Sequence, residues 1–329
     1  MSDLALVRAR ALPAQPSGGE VRRGPEGPLT SAPSEQIVGA IARDRRQLAA
    51  DLLALTKPRV VVMVLVATLV GYYVGLTGAP DYVRMLHLIV GTLLAAGGTL
   101  ALNQYAERDV DARMDRTRTR PLPDGRLQPL EALAFGAAAT ALGVAYLAAC
   151  VNALAAGLTA ATVVLYLFAY TPLKLRTPLC TVVGAVPGAL PPVTGWAAAR
   201  EDVAVGAWVL FGILFLWQLP HTLAIARLYR DDYARAGVRV LPVVDADGWS
   251  TERQIVTGCL ALLAVSLLPT LIGMAGPLYF VGALLLGLVF ATFGTLQALA
   301  PSSLSARRVL FASLLYLPAV LALLALDKV

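Results

Sequence analysis

The sequence of 329 residues predicts an all-α integral membrane protein with nine transmembrane helices, and two observations carry that prediction. Hydrophobic residues make up 57% of the chain and charged residues 15%, with a mean hydropathy of +0.69, which excludes a soluble globular enzyme. The charges are also confined, because seven stretches carry none. Val60–Pro80, Met85–Ala106, Thr177–Ala199, Val203–Ala226 and Val309–Leu326 each have the length of one span, roughly 20 residues. Ala132–Leu173, with 42 residues, and Gln254–Ala306, with 53, each hold two.

Nine spans put the two termini on opposite sides. Segments on the N-terminal side hold 24 Lys and Arg, and the other side holds only Arg84, Arg200 and Lys328. Basic residues are retained in the cytoplasm, so the N-terminus is expected to be cytoplasmic and the C-terminus external. Residues 1–46, including the Pro-, Gly- and Ser-rich stretch Pro13–Pro33, read as a disordered basic cytoplasmic tail. Residues 47–329 read as the membrane domain. Ile37, Ile41, Leu48 and Leu52 fall near helical spacing among Arg43, Arg45 and Arg46, which suits a surface helix or an extension of the first span. Asp3, Glu20, Glu26 and Glu35 count against an organellar transit peptide. The expected location is therefore a bacterial plasma membrane rather than a mitochondrial inner membrane. Cys150, Cys180 and Cys259 have no ligand-like spacing and read as packing residues.

Chemistry is expected in three segments on the basic side: 103–126, 170–177 and 221–244. The second span is predicted to continue as helix through Asn103, Glu107 and Asp111 and to end at Pro121. Positions four apart drift by only about 40° around a helix, so Asn103, Glu107 and Asp111 form one polar stripe. An oxygen-only stripe suits Mg²⁺, which takes one or two carboxylates and completes its shell with water and phosphate oxygens. Arg116 and Arg120 suit the phosphate. Carboxylates at the end of an apolar span are expensive there and are usually functional. Asp231 and Asp232 offer a second acidic platform, although neighbours on a helix diverge by about 100°. Two such platforms could clamp a diphosphate through bridging metals. Lys174 is a candidate diphosphate contact, and Tyr170 and Arg176 lie in the same short loop. His87, near the far end of span two, reads as structural.

Asn103–Leu122 resembles the signature of the UbiA prenyltransferase family, with an Asn and acidic residues at four-residue spacing before an Arg-Thr…Arg-Pro segment. Lys57-Pro58-Arg59, Tyr170–Thr177, Gly184–Trp196, Trp217–His221 and Asp232–Val244 are similar to the branch of that family that farnesylates heme. The resemblance covers roughly residues 50–326. Glu107 departs from it where the family usually has Asp, as does Cys180 where relatives often have Asn. Asp231-Asp232 replaces the four-spaced Asp pair of quinone-forming relatives.

The resemblance implies a nine-helix UbiA-type bundle enclosing a lipid-open cavity with cytoplasmic caps. It implies transfer of the farnesyl group of farnesyl diphosphate to a vinyl group of heme B, with addition of water, to give heme O. Mg²⁺ is the implied cofactor. Heme B, farnesyl diphosphate and membrane lipid are the implied partners, with downstream heme A synthase or terminal oxidase assembly and no nucleic acid. His221 would hold the heme iron or serve packing, and Arg227 or Arg230 would meet the propionates. The alternatives are prenylation of an aromatic quinone precursor and, in another class, a heme or lipid carrier or transporter.

Overall fold

In the computed structural model, which describes residues 45–329, nine of the described helices are long and apolar enough to cross a membrane. A short helix α1 (Arg45–Leu55) precedes the spans α2 (Pro58–Gly75), α3 (Tyr82–Asp111), α4 (Pro129–Cys150), α5 (Ala153–Leu173), α6 (Cys180–Arg200) and α7 (Val205–Leu228). Two short helices, α8 (Arg230–Arg235) and α9 (Leu241–Val244), lead to the spans α10 (Trp249–Leu271), α11 (Pro277–Leu299) and α12 (Ser303–Leu326). The expected tail falls outside the described residues except for its last two positions.

Helix starts follow local chemistry. The Asp81 carboxylate accepts from the Val83 and Arg84 amides to begin α3, and Asn152 accepts from Ala155 to begin α5. Gln128 and Glu131 form a capping box ahead of α4, with Pro129 in the first turn.

Two expectations about the basic segments are refined. The helix before the first span is separate from it, because Lys57 adopts a left-handed backbone (φ 50°) and Pro58 restarts the chain. Also, α3 ends at Asp111 rather than at Pro121. The run from Ala112 to Leu127 is a series of turns, closed by bonds such as Arg118 N to Met114 O and Leu127 N to Pro121 O. Arg116 and Arg120 therefore do not share a helix face.

Small residues set the closest helix approaches, as apolar spans require. A Cβ added at Gly195 of α6 would lie 1.8 Å from the Thr68 carbonyl oxygen of α2, and one at Gly71 would lie 2.0 Å from that of Pro192. Backbone, not a flexible side chain, occupies the space. Gly195→Ala is therefore expected to cost more than the ~1–3 kcal/mol usual for overpacking. Thermal unfolding in detergent would measure the loss.

Candidate active site

All three positions of the polar stripe on α3 are engaged. Asn103 is fully buried; its Oδ1 accepts from Lys57 Nζ at 3.1 Å and its Nδ2 donates to Thr171 Oγ1 at 3.1 Å. One turn on, Glu107 pairs with Lys174 at 2.6 Å, and after another turn Asp111 pairs with Arg120 at 2.6 Å. The left-handed turn at Lys57 directs that side chain inward. Gln104 fixes the turn by donating to the Ala54 and Leu55 carbonyls at 3.2 and 2.9 Å. A non-glycine residue in this conformation stores roughly 1–3 kcal/mol, and here it delivers a cation to the stripe.

Three cations thus meet two carboxylates, and Lys57 is bonded to a neutral amide. Burial, with Arg120 and Lys174 adding repulsion, lowers the Lys57 pKa to about 7. Burial would also lower that of Lys174, but Tyr170, Glu107 and Tyr166 outweigh it and hold the ammonium well above its usual range. Lys174 also lies over the Tyr170 ring, 4.3 Å from its centroid. The cation excess is thus only partly present at neutral pH, and an incoming anion would complete it by favouring the protonated form of Lys57.

The other candidates divide. Arg116 is exposed and stacks over Tyr229 and Tyr233, with 5.1 and 6.0 Å to the ring centroids. Asp232 bonds Arg235, which also reaches Asp115 at 2.6 Å, so α8 is clasped to the turn segment after α3. Asp231 points to solvent, as adjacent helical positions must diverge. Arg176 and Arg230 are exposed. Arg227 is committed to the buried Glu252 at 3.3 Å, away from the stripe. His87 meets the Tyr146 hydroxyl at 2.7 Å. Among the described residues, no three His, Cys, Asp or Glu side chains converge as a metal site made of protein alone would need. Mg²⁺ needs no such set when water and phosphate complete its shell. The oxygens of Asn103, Glu107 and Asp111, held by Lys57, Lys174 and Arg120, fit that requirement once those cations turn to the phosphate.

Beside the cluster lies a cavity of about 540 Å³ whose lining includes Thr99, one turn before Asn103, and Tyr170, against which Lys174 packs. Its walls are mainly apolar, and the Thr68, Thr99, Thr159 and Thr162 hydroxyls are spent on carbonyls of their own helices. Val60, Met63 and Leu314 line it and are also exposed on the bundle surface, so it reaches the apolar exterior between α2 and α12. His221 and Gln218 bring polar atoms into it from α7. The Gln218 amide sits against Gly188, where an added Cβ would lie 2.0 Å from Gln218 Oε1.

Residues 64–323 match the model of the UbiA prenyltransferase family. The chain belongs to that family. It is 52% identical over 287 residues to the protoheme IX farnesyltransferase of Solibacter usitatus, covering 84% of this chain and 98% of the relative. The enzyme of the same name from Koribacter versatilis is 43% identical, with coverage of 84% and 93%. The UbiA fold is also that of digeranylgeranylglyceryl phosphate synthase, with a TM-score of 0.72, 18% identity and coverage of 86% and 98%. A UbiA homologue from Archaeoglobus fulgidus bound to GPP and Mg²⁺ has a TM-score of 0.59 and 15% identity, with coverage of 83% and 99%.

Lys57, Gln104 and Thr171 take part in the site, although residue spacing in the sequence assigns them no role. The signal for Lys57 was available: a basic residue directly before the proline that opens the first span.

Proposed function

We propose that the chain is a protoheme IX farnesyltransferase, converting heme B to heme O with farnesyl diphosphate and water. The observation that carries the reading is the cation excess of Lys57, Lys174 and Arg120 beside an apolar, laterally open cavity. Such a pairing suits an amphiphile with a diphosphate head and an isoprenoid tail. The shared name and high coverage of the relatives support heme as acceptor.

In this reading the diphosphate enters the cluster and the farnesyl chain lies along the cavity. Lys57, Lys174 and Arg120 hold the phosphate oxygens, and their charge lowers the barrier to cleavage of the allylic C–O bond. Mg²⁺ held by Asn103, Glu107 and Asp111 would neutralise further charge on the leaving diphosphate. The clasp from Arg235 to Asp115 and Asp232 ties α8 to the turn segment that carries Arg120. The farnesyl C1 then bonds to the terminal carbon of a heme vinyl group, and water adds to the cation left at the inner carbon, its proton passing to the released diphosphate or to solvent. The alkene carries no proton that must leave first, so no catalytic base pair is needed.

The deciding experiment is incubation of purified protein with heme B, farnesyl diphosphate and Mg²⁺, then mass analysis of the pigment. Heme O is the expected product. Farnesylation of an aromatic acid in its place, or heme binding without turnover, would overturn the reading.

We place the cluster at the cytoplasmic face of a bacterial plasma membrane, from the distribution of basic residues. Reporter fusions after Ala79 and Ala199 should read external, and those near Arg126 and Asp245 internal. A single clean inversion would refute the topology.

A further inference from the structure

His221 is held by one residue of another span. Ser313 of α12 is fully buried, and its Oγ lies 2.8 Å from His221 Nδ1 and donates to the Leu310 carbonyl at 2.6 Å. The Ser313 carbonyl accepts from Trp217 Nε1 at 2.8 Å. Trp217 and His221, four apart on α7, stack with ring centroids 4.6 Å apart and planes 20° apart. One residue of α12 therefore sets both rings of the stack.

The hydroxyl decides the tautomer. It carries one proton and otherwise accepts. That proton goes to the Leu310 carbonyl, which can only accept, so the proton between Ser313 and His221 comes from the imidazole. Nδ1 is then the protonated nitrogen and Nε2 keeps its lone pair. A ring nitrogen binds a metal in that state, and the hydrogen bond at the other nitrogen selects it.

We propose that Ser313 is a positioning residue that fixes His221 as the Nδ1-protonated tautomer and so readies Nε2 as an axial ligand for the iron of a porphyrin substrate in the cavity. The identity of that porphyrin rests on the heme reading above; the tautomer does not.

The chain has only two histidines, so ring-¹⁵N-histidine protein in nanodiscs gives two imidazole spin systems, and His87→Ala leaves one. The expected wild-type result is Nδ1-protonated His221. Ser313→Ala should move the proton to Nε2 or leave a mixture, and Ser313→Thr, which keeps the hydroxyl, should restore it. In heme B titrations Ser313→Ala should bind about 10-fold more weakly, as losing the partner of a metal-binding histidine costs, with shifted absorption bands. Its KM for farnesyl diphosphate should not change. Nε2-protonated His221 in the wild type would overturn the proposal, as would an unchanged tautomer in Ser313→Ala. If His221→Ala alters the heme spectrum and Ser313→Ala does not, the role of Ser313 fails while the heme reading stands. Wild-type protein that binds no heme defeats the heme reading and the iron-ligand half of this proposal, and the NMR result still decides the tautomer.

Discussion

Glu107→Gln is expected to abolish heme O formation while leaving a folded, extractable protein, with a loss of at least about 10²–10³-fold, the scale of removing one transition-state charge contact. Glutamine keeps the length of the side chain and can still accept from Lys174, whose Nζ lies 2.6 Å from Glu107 Oε1. What it loses is the negative charge that a divalent ion needs. Asp111→Asn should act likewise, with an added disturbance because it weakens the 2.6 Å ion pair with Arg120. Chelation should stop the wild type, and Mg²⁺ should restore it but should not restore Glu107→Gln. Size-exclusion profile and thermal unfolding separate lost chemistry from lost fold. Persistent turnover by metal-stripped wild type in EDTA would refute the metal-assisted mechanism whatever the variants did.

The same stripe shows what periodicity could and could not reveal. Asn103, Glu107 and Asp111 were legible because four-residue spacing on a helix is a local rule, and charge at the end of an apolar span is conspicuous. The nine spans were legible for a similar reason, since charge-free length maps directly onto bilayer thickness. The end of α3 was not, because Ala112–Leu127 contains no proline before Pro121 and its turns are held by contacts distant in sequence. Met114 is buried with Ala236, Val238 and Val240, which lie more than a hundred residues on. Arg227 illustrates the converse failure. Its position beside the second acidic motif suggested an anion contact, yet Glu252 on α10 takes it. Lys57 reaches Asn103 from a turn whose preceding carbonyls Gln104 holds, a link across about fifty residues that spacing does not encode. Ser313 is less legible still, as an ordinary serine in an apolar span.

His221→Ala is the other large effect, and it tests the acceptor side of the site alone. Heme is flat and mostly apolar, so the cavity wall can bury it without fixing its rotation. Aligning one vinyl carbon with a short-lived farnesyl cation needs an anchor, and misplacement by about 1 Å can cost on the order of 10²-fold in rate. His221 is the histidine that lines the cavity, and its ring is held against Trp217 and Ser313 before any substrate arrives. The expected result is a fall in kcat/KM for heme on the order of 10²-fold, weaker heme binding and displaced heme absorption bands. The KM for farnesyl diphosphate should stay at the wild-type value, because Lys57, Lys174 and Arg120 are untouched. His87→Ala, which loses only its bond to Tyr146, should leave both the spectrum and the rate in place. His221→Gly supplied with free imidazole should recover the wild-type bands if iron ligation is the lost function, since a packing defect would not return a nitrogen to the metal. Wild-type spectrum and heme affinity in His221→Ala would mean that the ring is a packing element, and that the porphyrin is oriented by its propionates or by the cavity wall.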